Sequence, residues 1–221
     1  MIRRLSLLAV SALALAACGE QAAAPDAAAP ENTVETAAAA TNMAPNFTLV
    51  DSEGVQRQLS DYRGQVVILE WTNEGCPYVQ KYYESGAMQD LQRAAVEDGA
   101  VWLTIISSAQ GQQGYVDGAE ARQWADRNTA GANHLLLDPT GQVGRLYDAK
   151  TTPDMRVIDE QGRIVYAGAI DDRPSSEAES LEGATNYVTL ALAAHEAGEA
   201  PETPYAQPYG CSIKYADELD A

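Results

Sequence analysis

Two apolar runs dominate the chain, Gln65 to Trp71 and Ala100 to Ser107. Both are too continuous to be one face of a surface element and are rich in β-branched residues. They predict strands buried on both faces, and hence a central sheet covered by helices. Between them, Pro77 to Asp98 has helical spacing with a weak point at Gly86. Upstream, Phe47 to Val50 and Val55 to Leu59 flank Asp51-Ser52-Glu53-Gly54, a hairpin pattern with Gly at the turn. Downstream, the pattern predicts a helix over Ala119 to Arg127, a short strand over His134 to Asp138 and a helical turn from Pro139 to Tyr147. A second hairpin follows, Thr151 to Asp159 and Arg163 to Ala169, turning at Glu160-Gln161-Gly162 and entered through Thr152-Pro153. An amphipathic helix over Leu181 to Glu196 closes the pattern. The tail Glu199 to Gly210, with Pro201, Pro204 and Pro208, predicts no regular element. This order of strands and helices is that of an α/β fold with a mixed sheet.

The first residues read differently. Arg3 and Arg4 precede an apolar stretch, Leu5 to Ala17, too short for a stable membrane span, which is the form of an export signal. It ends in Leu15-Ala16-Ala17-Cys18-Gly19, which resembles a bacterial lipobox: cleavage before Cys18 and lipid on its sulfur. Cleavage after a small residue nearby, giving a soluble secreted protein, is the alternative. Gly19, where Gram-negative lipoproteins kept in the inner membrane carry Asp, points to an outer-membrane anchor facing the periplasm. The expected organisation is a signal peptide (1–17), an Ala/Pro-rich tether (18–44) too poor in apolar side chains to order itself, a domain (45–197) and a tail (198–221). The net charge of −18 excludes nucleic acid as a partner and opposes adhesion to anionic lipid, so membrane contact is expected through the lipid alone. His134 and His195 are too few and too scattered for a metal cluster, and no metal or other cofactor is expected.

The candidate chemistry lies at Cys76, in Glu70-Trp71-Thr72-Asn73-Glu74-Gly75-Cys76-Pro77-Tyr78, where a strand hands over to a helix. That places the thiol at the exposed end of the sheet, facing the positive end of a helix dipole that favours thiolate. Pro77 suits the first helical position. Glu70 and Glu74 would oppose a thiolate, and Lys81 and Lys214 would favour it. Val79 stands where a C-x-x-C motif would have its second Cys. If lipid takes Cys18, the three cysteines leave one pair, Cys76 and Cys211, in a compartment that permits disulfides. The stretch 198–210 is long enough to carry Cys211 to Cys76, since an extended chain covers about 3.3 Å per residue.

Trp71 shortly before Cys76, Thr152-Pro153 before a hairpin, and Val157-Ile158-Asp159-Glu160-Gln161-Gly162-Arg163-Ile164-Val165 together resemble the thioredoxin-like superfamily. Asn73-Glu74-Gly75-Cys76-Pro77-Tyr78 and Gly210-Cys211-Ser212-Ile213-Lys214 resemble its peroxiredoxin-like redoxins of the AhpC/TSA type. The resemblance implies a thioredoxin-like α/β fold, a cis Thr152-Pro153 bond against Cys76, and a backbone there that pairs with substrate. It implies Cys76 as nucleophile, and Trp71, Asn73, Pro77, Tyr78, Thr152 and Pro153 as its surroundings. The chain also departs from the pattern: Leu69 and Asn73 occupy the places of the Pro and Thr that position peroxide in true peroxiredoxins.

Three functions follow as expectations. The first is a lipid-anchored thiol–disulfide oxidoreductase in which Cys76 attacks a protein or small-molecule disulfide and Cys211 resolves the product. Its reductant is left undefined. The second is a thiol peroxidase, with Cys76 oxidised to sulfenic acid that condenses with Cys211. The third is a non-catalytic binding protein whose Cys76–Cys211 bond is a staple, closing a loop of about 135 residues for roughly 5 kcal/mol. A copper chaperone is disfavoured because Gln80 stands where a C-x-x-x-C would need Cys.

Overall fold

The computed structural model describes residues 42–128 and 131–216. The expected export signal, Cys18 and the expected tether up to Thr41 lie outside the described residues, as does 217–221. The domain is laid down from Asn42: Met43 bridges Arg163, and the buried Ala44 donates its N–H to the Gly162 carbonyl at 2.9 Å.

Eight strands form one mixed sheet. In chain order they are β1 (Thr48–Asp51), β2 (Gln56–Gln58), β3 (Val67–Trp71), β4 (Val101–Ile106), β5 (His134–Leu137), β7 (Asp154–Ile158), β8 (Ile164–Gly168) and β9 (Tyr205–Ala206), arranged β2-β1-β5-β4-β3-β7-β8-β9. The three central strands β5, β4 and β3 are parallel, β7 runs antiparallel to β3, and β9 is parallel to β8. Every residue of β3 and β4 is buried, as their unbroken apolar runs require. A separate two-residue pair joins β6 (Thr151–Thr152) to β10 (Cys211–Ser212).

The two faces of the sheet bury different cores. One packs Ile68, Trp102, Met155 and Val157 against α1 (Pro77–Glu84), α2 (Ala87–Glu97), α3 (Gly118–Asn128) and α5 (Tyr187–Glu196). The other packs Leu69, Trp71, Leu103 and Ile105 against Phe47, Leu59 and Val143 of α4 (Gln142–Leu146), with Ile213 of the tail added at its edge. Each fully buried side chain of this size contributes about 1.5–3 kcal/mol relative to exposure.

Three expectations are corrected. The helical stretch 77–98 is two helices, because Gly86 adopts φ +82 between them. The closing helix starts at Tyr187, later than Leu181: Gly183 adopts φ +67, and the Asn186 side chain caps the helix by accepting the Thr189 N–H. The stretch Glu199 to Gly210, expected to hold no regular element, supplies one short strand, β9, and β10 follows directly after it. β9 lies on the outer edge of β8, where Gly168 at φ +122 leaves room for the Ala206 carbonyl; a Cβ there would stand 1.8 Å from that oxygen.

Candidate functional site

Cys76 is the residue immediately before α1, with extended backbone (φ −90, ψ 119) and Pro77 at the first helical position. The loop that delivers it is tied by Asn73. The Asn73 side chain accepts the Gly75 N–H at 2.9 Å and donates to Gln113 Oε1 at 3.1 Å, while its carbonyl accepts the Cys76 N–H at 3.0 Å. Gly114 sits so close that a Cβ would meet the Asn73 amide at 2.4 Å.

The Thr152-Pro153 bond is cis and faces this thiol: Cys76 Sγ donates to the Thr152 carbonyl at 3.1 Å. β6 is paired with the tail, in the register Cys211 opposite Thr152 and Ser212 opposite Thr151. Cys211 thereby arrives beside Cys76, and both are free thiols. Burial pushes the Cys211 thiol up to about 12, and the hydrogen bond to Cys76 and the charge on that sulfur push the same way, against a weaker pull from Lys214. Cys211 therefore keeps its proton at neutral pH.

Cys76 is 0 % exposed, which corrects the expectation of an open thiol at the end of the sheet. Cys211 of the tail lies against it, in a seat that reach along the chain alone did not define. Gly210 makes the seat possible. At φ +136 its bare Cα passes against the Thr152 carbonyl, where a Cβ would approach to 2.0 Å. Beyond Cys211, Ile213 donates its N–H to the Lys150 carbonyl at 3.0 Å, Ala109 donates to the Lys214 carbonyl at 2.8 Å, and Tyr215 donates its hydroxyl to the Ala149 carbonyl at 2.7 Å.

Of the residues expected around Cys76, Asn73, Pro77, Thr152 and Pro153 border it directly in sequence or space. Tyr78 faces the tail, its ring edge-on to Tyr209 with centroids 5.8 Å apart. Trp71 does not join them. Successive strand residues alternate faces, so Trp71 points to the opposite core, beneath the Arg156 guanidinium and beside Tyr147, with its indole N–H on Ser107 at 3.2 Å. Glu70 faces the helices. There it accepts hydrogen bonds from Tyr83, Gln92, Trp102 and Thr104, and burial raises it above the usual carboxylate range against all four donors. Glu74 pairs with Arg127 at 2.7 Å on the surface. Sequence reasoning missed Asp171 altogether: one carboxylate in a strongly acidic chain carries no local signal, yet it is buried between Tyr82, Lys81 and Tyr209.

Among the described residues no group of His, Cys, Asp and Glu is arranged to hold a metal ion. What the arrangement places together is two thiols in contact and a backbone edge paired with a Cys-bearing strand.

Comparison with known proteins agrees with this fold and chemistry. The thiol-disulfide oxidoreductase ResA of Geobacillus kaustophilus is 33% identical over 139 residues, which span 60% of this chain and 70% of that one. A solved structure of a conserved protein from Geobacillus kaustophilus superposes with TM-score 0.67 at 25% identity, covering 80% of this chain and 92% of that one. A Sinorhizobium meliloti protein shares the fold with TM-score 0.69 at 22% identity, covering 79% and 93%. The AhpC/TSA family model matches residues 40–167, which take in every strand from β1 into β8, and the chain belongs to that family.

Proposed function

We propose that the protein is a thiol–disulfide oxidoreductase of the cell envelope, with Cys76 as nucleophile and Cys211 as resolving thiol. The observation that carries this reading is the register of β10 on β6, which sets Cys211 opposite Thr152, the residue whose carbonyl receives the Cys76 thiol. Cys76 as thiolate attacks one sulfur of a protein or small-molecule disulfide; the other sulfur leaves as a thiol after taking a proton. Cys211 then attacks Cys76 Sγ, the mixed disulfide breaks, and the second substrate thiol departs with the proton Cys211 gives up. The substrate gains two electrons, the Cys76–Cys211 pair becomes a disulfide, and an external reductant resets it. Asn73 holds the loop, Pro77 starts the helix behind the sulfur, Tyr78 contacts the tail, and Thr152 and Pro153 present the docking edge. The ResA likeness supports the reaction class.

The peroxidase reading has weaker support, because the Asn73 amide is already committed to Gly75 and Gln113. Leu15 to Gly19 supports lipid on Cys18 and an outer-membrane anchor, with the tether between lipid and domain. Replacing Cys18 with Ala is expected to move the protein from the membrane to the soluble fraction.

The reaction is tested by incubating reduced Cys211→Ser protein with insulin and weighing the products. Accumulation of a mixed disulfide on Cys76, absent from Cys76→Ser, is the expected result. Turnover by Cys211→Ser at the wild-type rate would refute the role of Cys211.

A further inference from the structure

The tail is held at several points, and one of them lies two residues before Cys211. Tyr209 is the tail's contribution to a buried charged cluster that the thiol chemistry does not use. Its hydroxyl donates to one oxygen of Asp171, and the Tyr82 hydroxyl donates to the other. The Arg173 N–H adds a third bond to the carboxylate at 2.8 Å. Lys81, 3 % exposed although it is a lysine, spends its three N–H bonds on the Arg173 carbonyl (3.1 Å), Ser180 Oγ (3.2 Å) and the Tyr209 hydroxyl (3.3 Å), and stands 4.0 Å from Asp171. Its ammonium also lies 4.9 Å from the Tyr82 ring centroid and 5.3 Å from that of Tyr209. Lys81 and Tyr82 belong to α1, the helix that begins beside Cys76, so the clamp and the nucleophile share one rigid element.

The clamp sits over a shared edge. Cys211 reaches Cys76 by pairing antiparallel with Thr152, and it shows how a cysteine in an extended chain is brought to that sulfur. A protein substrate that delivers its own disulfide needs the same edge, yet Cys76 is fully covered while the tail is seated. Substrate chain and tail therefore alternate on one strand position.

Resting on the oxidoreductase reading, we infer that Asp171, Lys81 and Tyr82 form a latch that seats the tail through Tyr209, so that the tail acts as an internal stand-in for a Cys-bearing substrate strand. Latch opening governs the attack step and latch closure governs resolution. Tyr209 is a positioning residue with opposite effects on the two steps. Loosening it exposes Cys76 to incoming disulfides and lowers the effective concentration of Cys211 at the mixed disulfide.

The test mixes reduced full-length protein with 5,5′-dithiobis(2-nitrobenzoate) and follows release of the coloured thiolate. Attack by Cys76 breaks the reagent's disulfide and releases the first equivalent at a rate proportional to reagent. Attack by Cys211 forms the Cys76–Cys211 bond and releases the second at a rate independent of reagent. Tyr209→Phe keeps the ring against Tyr78 and deletes only the hydroxyl. It is expected to speed the first phase and slow the second, each about tenfold, as loss of a hydrogen bond to a charged acceptor predicts. Tyr205→Phe makes the same chemical change in an exposed tail tyrosine whose hydroxyl bonds Gln207, and is expected to leave both phases unchanged. Equal rates in Tyr209→Phe and wild type, with both phases present, would overturn the latch and leave the oxidoreductase reading intact. Absence of the second phase in wild type would overturn both, and matching shifts in Tyr205→Phe would overturn the assignment to Asp171 and Lys81.

Discussion

Two buried polar clusters lie on the helical side of this sheet, and they differ in where their members come from. Around Glu70, all partners belong to the folded body: Tyr83 on α1, Gln92 on α2, Trp102 and Thr104 on β4. Around Asp171, one partner, Tyr209, belongs to the tail. The first cluster binds helices to the sheet and has no part that can leave without unfolding. The second ends on a segment that can lift away while the body stays folded, and that segment carries Cys211. The contrast shows how the same physical device, a buried carboxylate saturated by donors, serves rigidity in one place and reversible docking in another.

The largest effect is expected from Asp171→Ala. It leaves the Lys81 ammonium buried without its counter-charge and is expected to cost about 3–5 kcal/mol in denaturant unfolding, with loss of Cys211 protection from alkylation. Glu70→Gln is expected to cost less, about 1–3 kcal/mol, because the amide still accepts some of the four bonds while presenting a mismatched N–H to others. The comparison requires that its Cys76–Cys211 disulfide form at the wild-type rate. Slowed disulfide formation in Glu70→Gln would erase the distinction between the clusters.

Gly210→Ala acts on the tail alone. Both clusters keep all their atoms, but the new Cβ would stand 2.0 Å from the Thr152 carbonyl and the backbone is at φ +136. Disulfide formation is expected to fall at least tenfold, with a change in unfolding free energy of roughly 1 kcal/mol. The smallest effect is a titration. In Cys76→Ala the Cys211 value is expected to drop below about 12 yet stay above the ordinary 9.0, because burial, its largest cause, remains while the hydrogen bond and charge of Cys76 are gone. Ultraviolet thiolate absorbance reads it. The sign for stability follows: a raised thiol value means the folded protein holds the extra proton, so this contribution is complete below pH 9 and is lost as pH rises toward about 12.

The strands β3 and β4 were legible because burial on both faces leaves an uninterrupted apolar run. The cis Thr152-Pro153 bond opposite Cys76 was legible through the family pattern. The split at Gly86 was visible as a weak point, whereas the late start of α5 depended on Gly183 and on the Asn186 cap, which the amphipathic pattern running back to Leu181 obscured. β9 and β10 were hidden for a different reason. Two-residue strands are held by backbone pairing, with no side-chain period to betray them. At the site, Cys76 and Cys211 could be named from their motifs, but the burial of Cys76 could not, since it follows from where a distant segment docks. Trp71 shows the limit of proximity in sequence: one step along a strand moved it to the opposite core.

The most direct measurement is the reduction potential of the Cys76–Cys211 couple in glutathione buffers, read by alkylation and mass. A value between about −120 and −270 mV is expected, the range of proteins that exchange disulfides. A value below about −300 mV would mark a structural staple and contradict the oxidoreductase reading.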